Sequence, residues 1–218
     1  MPAFVFDAYG TLFDVHAAIG RYRSEAGPDA ERISELWRTK QLEYSWTLTL
    51  AGKYLDFETL TERALDHALA RFPSANKNLR PKYLEAYWTL DAYPDAKATL
   101  RTLRERGAKT AILSNGSPKM LTSAVKAAGL ESEFDAVLSV DALKMFKPRM
   151  EVYQMTADTL KVVPKDVVFV SSNRWDVMGS AAFGFRPMWI NRANMPEEYP
   201  EFAPAEVLSS LSDLTALA

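Results

Sequence analysis

Four short, almost wholly apolar runs constrain this chain most: Ala3 to Phe6, Lys109 to Leu113, Ala136 to Ser139 and Val167 to Val170. Continuous apolar residues leave no polar face for water, so such runs fit strands buried on both sides, as in a parallel sheet. Pro187 to Ile190 is a weaker fifth run. Helical patterns lie between them. From Pro94 to Arg106, Leu100 and Leu103 share a face, Pro94-Asp95 opens the segment, and Gly107 follows as a C-terminal stop. Pro118 to Ala128 and Glu151 to Leu160 follow the same pattern. Strands alternating with helices predict βαβ units and an α/β fold, a Rossmann-like doubly wound parallel sheet. The alternation stops between His16 and Tyr93. There, Asp29 to Leu50 carries Ile33, Leu36, Trp37 and Tyr44 near one face, and Phe57 to Arg71 follows after Gly52, with no strand between. The expected organisation is a core of residues 1–15 and 94–218 with a helical cap, residues 16–93, inserted after the first strand.

Composition narrows the chemistry. The 218 residues carry a net charge of -2, too weak a field to recruit nucleic acid or an anionic membrane. No apolar run approaches a membrane span, and Met-Pro-Ala-Phe-Val-Phe-Asp holds no basic leader, so a cytoplasmic protein is expected. The absence of cysteine excludes disulfides, thiolate zinc sites and a cysteine nucleophile. Imidazole comes only from His16 and His67, far apart in sequence, so a Ser-His-Asp triad or a His-rich metal site is poorly supplied. An enzyme built on this chain has to work with carboxylates, Lys, Arg and hydroxyls.

Those groups collect where an open α/β sheet binds ligands, beyond the carboxyl ends of its strands. Asp7-Ala8-Tyr9-Gly10-Thr11 follows the first run, Ser114-Asn115-Gly116-Ser117 the second, and Lys147-Pro148 lies beyond the third. Ser171-Ser172-Asn173-Arg174-Trp175-Asp176 follows the fourth. Each cluster alone is an ordinary turn or helix cap. Four of them at four strand ends converge on one place and predict a site.

The motifs Asp7-Ala8-Tyr9-Gly10-Thr11-Leu12, Ser114-Asn115, Lys147-Pro148, and Ser171-Ser172-Asn173 with Asp176 resemble those of the haloacid dehalogenase superfamily. The cap segment Trp37-Arg38-Thr39-Lys40-Gln41-Leu42-Glu43-Tyr44-Ser45-Trp46 narrows the resemblance to the L-2-haloacid dehalogenases. Most superfamily members are magnesium-dependent phosphatases with Asp-x-Asp after the first strand, the second Asp serving as acid and base. Tyr9 stands there in this chain. An alkoxide leaving group needs a proton and a halide does not, so the exchange suits carbon–halogen cleavage. Asp7 and Asp176 are the only evident carboxylates, too few for octahedral oxygen coordination, so neither a metal nor another cofactor is expected.

The resemblance implies an Asp7 nucleophile that attacks the α-carbon of a short 2-haloacid, with inversion and an ester intermediate. It implies that Thr11 and Lys147 orient Asp7 and that Ser114, the backbone near Asn115, and Lys147 fix the substrate carboxylate. Arg38, Asn115 and Trp175 would receive the halide. Asp176, placed with Asn173 and Ser171, would activate water, with a share for Lys147 left open. Tyr153, one helical turn past Lys147-Pro148, matches a supporting tyrosine. Tyr9, Leu42, Phe57 and Trp175 form the expected apolar wall. Thr39 departs from a common family Gln, which is expected to alter the pocket beside Arg38. The partner is a small-molecule 2-haloacid, and relatives imply a homodimer that no heptad here supports. A superfamily phosphatase and a catalytically silent binding protein remain as alternatives.

Overall fold

The computed structural model describes residues 3–217. Six strands form one sheet in the order β3-β2-β1-β4-β5-β6: β1 Ala3–Phe6, β2 Lys109–Ser114, β3 Ala136–Ser139, β4 Val167–Ser171, β5 Arg186–Ile190 and β6 Glu206–Leu208. Every neighbouring pair is parallel. The alternation of strands and helices is thus realised as a doubly wound α/β sheet. Residues 1, 2 and 218 of the expected core lie outside the described residues.

All residues of β1 and β4 are buried, so both faces of the central sheet are covered. Each apolar side chain so enclosed contributes about 1.5–3 kcal/mol of transfer free energy. β3 is an edge strand, and its Val137 is 43% exposed. The opposite edge, β6, has no counterpart in the sequence reading. Its three residues are exposed or half-buried, so no apolar run marks it.

Five helices lie between β1 and Tyr93: α1 Ala17–Gly20, α2 Arg23–Ala26, α3 Ala30–Leu50, α4 Phe57–Arg71 and α5 Arg80–Trp88. Four more alternate with the strands: α6 Ala96–Glu105, α7 Pro118–Ala127, α8 Met150–Leu160 and α9 Arg174–Phe183. Local chemistry sets their ends. The Asp56 carboxylate caps α4 through the Thr59 N–H, and Ser117 caps α7 ahead of Pro118. Beyond α6, Gly107 takes φ 82°, a left-handed conformation in which its N–H reaches the Arg104 carbonyl. No helix among the described residues is long and apolar enough to cross a membrane.

The long pair α3 and α4 is fixed by buried polar contacts as well as by packing. The Trp37 indole donates to the Thr61 carbonyl at 2.8 Å, and Gln41 donates to the Thr61 hydroxyl at 2.9 Å. The helical segment joins the sheet by two adjacent strands of chain. The Tyr93 N–H bonds the Leu12 carbonyl at 2.8 Å, and the Asp14 N–H bonds the Asp91 carbonyl at 3.0 Å. In the sheet, strand order reverses between β1 and β4, which opens a crevice beyond their carboxyl ends.

Candidate active site

Asp7 stands at that crevice. Its N–H continues the ladder to the Val170 carbonyl at 2.9 Å, which aims the next side chain past the sheet edge. The chain then turns sharply at Gly10, whose φ of 93° is costly for any residue with a Cβ. This turn returns Thr11 beneath Asp7, where its hydroxyl donates to Asp7 Oδ2 at 3.0 Å. The Ser172 N–H donates to that same hydroxyl at 2.8 Å, so the Thr11 proton is directed at the carboxylate. Asn173 Nδ2 gives Oδ2 a second donor at 2.7 Å.

Behind Asp7 lies a buried ion triad. Lys147 Nζ is 2.8 Å from Asp7 Oδ1, 2.5 Å from Asp176 Oδ2 and 3.0 Å from the Leu113 carbonyl. Three acceptors match the three protons of an ammonium. Burial opposes a charge on Lys147, but the carboxylates of Asp176 and Asp7 outweigh it and hold the ammonium above the usual lysine range. Asp176 occupies the first turn of α9 and is fully buried. Burial pushes its carboxyl up to about 6 against the pull of Lys147, and the charge on Asp7 adds to the rise. The Tyr153 hydroxyl, itself raised well above its ordinary value by burial, keeps its proton and donates it to Asp176 Oδ1 at 2.7 Å. Burying such charges is tolerable only because each is paired and hydrogen-bonded.

Arg38 enters from α3 on the opposite side. Its Nη2 donates to the Tyr9 carbonyl at 3.0 Å and to Asn173 Oδ1 at 3.4 Å, so the helical segment is tied to the turns after β1 and β4. The Tyr9 ring stacks on Tyr87 with centroids 5.5 Å apart and lies 6.0 Å from Phe57, while its buried hydroxyl has no partner. A cavity of about 440 Å³ opens beside this cluster, lined by Gly10, Leu42, Asn173, Trp175 and Arg192 among others.

Asp7, Thr11, Arg38, Lys147, Tyr153, Asn173 and Asp176 are therefore joined by direct hydrogen bonds. Asn115 joins them at one remove, its Oδ1 accepting from the Lys147 N–H at 3.0 Å. Ser171 is fully buried and accepts from the Asn173 N–H, so it holds a turn. Ser114 accepts from the Gly116 N–H within its own turn. Two expectations need correction. Lys147 has no donor left for a substrate carboxylate, because Asp7, Asp176 and Leu113 take all three. Thr39 does not line the pocket: one residue beyond Arg38 is a rotation of about 100° around the helix, and its side chain is exposed. The sequence reading missed Arg192, which follows β5 and bonds Thr11 and Ser172. Carrying the strand-end search on to Asn191-Arg192 finds it.

Comparison with known proteins agrees with this geometry. The family described as haloacid dehalogenase-like hydrolase matches residues 1–184. (S)-2-haloacid dehalogenase 1 of Pseudomonas sp. (strain CBS-3) is 51% identical over 217 residues, covering 99% of this chain and 95% of that protein. A crystal structure of a dehalogenase superposes with a TM-score of 0.98 at 47% identity, covering 100% of this chain and 97% of that one. L-2-haloacid dehalogenase from Xanthobacter autotrophicus, solved with chloropropionic acid covalently bound, superposes with a TM-score of 0.91 at 38% identity, covering 100% and 98%. On these matches, spanning sheet, helical segment and strand-end residues alike, the chain belongs to the haloacid dehalogenase-like hydrolases and, within them, to the L-2-haloacid dehalogenases.

Proposed function

We propose that this chain hydrolyses short (S)-2-haloalkanoic acids to (R)-2-hydroxy acids and halide, through an ester on Asp7 and with inversion at the substrate carbon. The observation that carries this reading is the setting of Asp7. Its carboxylate faces an ammonium, a hydroxyl and an amide, while Tyr9 holds the place of a second acid. A carboxylate so furnished attacks carbon, and a halide departs without needing a proton. The covalently bound chloropropionic acid in the Xanthobacter relative supports the same chemistry.

Asp7 Oδ1 accepts one hydrogen bond and Oδ2 two, so Oδ1 keeps a lone pair for attack on the α-carbon. The carbon–halogen electron pair leaves with the halide toward Arg38, whose guanidinium is always charged and weakly hydrated, with Asn115 and Trp175 alongside. Ser114 and the backbone near Asn115 hold the substrate carboxylate. Tyr9, Leu42, Phe57 and Trp175 form the apolar wall. Water then adds to the Asp7 ester carbonyl and gives its proton to Asp176. The oxyanion forms on Oδ2, where Thr11 and Asn173 already donate. The alcohol oxygen takes a proton as the hydroxy acid leaves.

Lys147 places its positive charge between Asp7 and Asp176, which supports chemistry without a metal or another cofactor. The paired chain crossings at Leu12–Tyr93 and Asp14–Asp91 support a core of residues 1–15 and 94–218 carrying a cap of residues 16–93. A cytoplasmic homodimer completes the reading. Leu50, 86% exposed at the end of α3, borders a groove with Trp46, Phe146, Trp175 and Met178, apolar surface that a second copy would cover.

Single-turnover hydrolysis of L-2-chloropropionate in heavy-oxygen water tests the route. Label is expected in the peptide bearing Asp7, with halide release undiminished in excess chelator. Label found first in the hydroxy acid, or dependence on a divalent ion, would overturn it. A pH dependence follows from the Asp176 carboxyl at about 6, since it must be ionised to accept a proton. Ester hydrolysis is expected to slow as pH falls through that value, while the first halide is still released. Rapid-quench measurements that find hydrolysis unchanged below pH 6 would remove Asp176 from the role.

A further inference from the structure

Arg192, just past β5, reaches across two strand ends to the machinery under Asp7. Its Nη1 donates to the Ser172 hydroxyl at 2.7 Å and its Nη2 to the Thr11 carbonyl at 3.1 Å. The guanidinium lies 3.9 Å from the Tyr93 ring centroid, and Asp95 Oδ1 stands 3.8 Å from Nη2. Both residues it grips belong to one relay: the Ser172 N–H donates to the Thr11 hydroxyl, which donates to Asp7 Oδ2. The Ser172 peptide is held on its other side by the Trp189 indole, which donates to the Ser172 carbonyl at 3.3 Å.

We infer that Arg192 is a positioning residue for the nucleophile, acting through Thr11 and Ser172 without touching substrate. The turns after β1 and β4 belong to different parts of the chain, and the relay fails if they drift apart by a fraction of an ångström. A planar guanidinium spans two acceptors at fixed separation, which an ammonium on a flexible stem does less well. Stacking on Tyr93 and the nearby charge of Asp95 fix the plane of the fork. Arg192 also lines the cavity beside Asn173, yet its two Nη atoms point to the Ser172 hydroxyl and the Thr11 carbonyl. Misalignment of Asp7 costs rate in the step where it attacks carbon, not affinity for a substrate held elsewhere.

The inference rests on the proposed dehalogenation and is tested by a double-mutant cycle on the full chain with L-2-chloropropionate. Arg192→Met is expected to slow ester formation about tenfold with KM changed less than about twofold, and Arg192→Lys to recover part of the loss. In a Thr11→Val background, Arg192→Met is expected to add almost nothing, because the relay is already cut. A wild-type rate in Arg192→Met, a loss confined to KM, or an equal loss with and without Thr11 would overturn the inference. Thermal melting accompanies each variant. If Arg192→Met does not fold, Ser172→Ala removes the same contact from its other end and completes the cycle. Absence of halide release from the wild-type enzyme would instead overturn the proposed function, and this inference with it.

Discussion

Asp7→Asn is expected to abolish halide release, lowering kcat/KM by at least about 10⁴-fold while leaving the fold intact. The side chain keeps its size, but a neutral amide oxygen lacks the negative charge, and with it the nucleophilicity, needed to displace halide from carbon. Stability should change little. The wild-type triad buries two carboxylates against one ammonium, and the substitution leaves Lys147 paired with Asp176 alone at 2.5 Å, a neutral arrangement. The other donors to Asp7 are flexible enough to adapt, since an amide accepts through its oxygen and the Thr11 hydroxyl can rotate. The check is halide release by ion-selective electrode beside a thermal melt. Turnover within tenfold of wild type in a variant proved free of reversion to Asp would mean that another group attacks carbon.

Asp176→Asn should separate the two chemical steps. Lys147 retains Asp7, and the Tyr153 hydroxyl retains an amide oxygen to donate to, so ester formation continues. The base that accepts the proton of water is gone, and ester hydrolysis is expected to fall about 10²–10⁴-fold. Each active site would release one halide and then stall, and intact-protein mass would rise by that of the carboxyalkyl group esterified to Asp7. A stalled ester places water activation on Asp176. Residual hydrolysis that disappears only when Lys147 is also replaced would show the lysine sharing the task. If no halide burst occurs, Asp176 is needed for attack on carbon and the division of labour proposed above is wrong.

The sheet was legible because its strands are buried on both faces, which forces continuous apolar runs such as Val167 to Val170. β6 was not, because an edge strand of three residues with one neighbour needs no such run. Helix ends marked by Pro118 and Gly107 were readable for the same local reason, since those residues encode backbone geometry directly. In the site, strand-end position announced Asp7 and Asp176, but it could not tell which donors on Lys147 were spent. That depends on distances between three separate loops. The placement of Thr39 failed for a rotational reason: adjacency in sequence to Arg38 is not adjacency on a helix. Arg192 escaped because the strand-end search stopped short of the weaker fifth run; its position past β5 flags it, but its grip on two loops is visible only in the distances.

The rung where Leu12 meets Tyr93 has a consequence for how such a protein can change over generations. On the proposed reading of residues 16–93 as a cap, the outgoing and returning chain share one hydrogen-bonded socket, so a change of length away from the contacts with Tyr9 and Asn173 is expected to leave the spacing of β1 and β2 unaltered. Asp7, the proposed nucleophile, stands on the sheet side of that socket, while Arg38 rides on the helical side. Changes in the helical segment are then expected to reach Asp7 chiefly through contacts such as those of Arg38 with Tyr9 and Asn173.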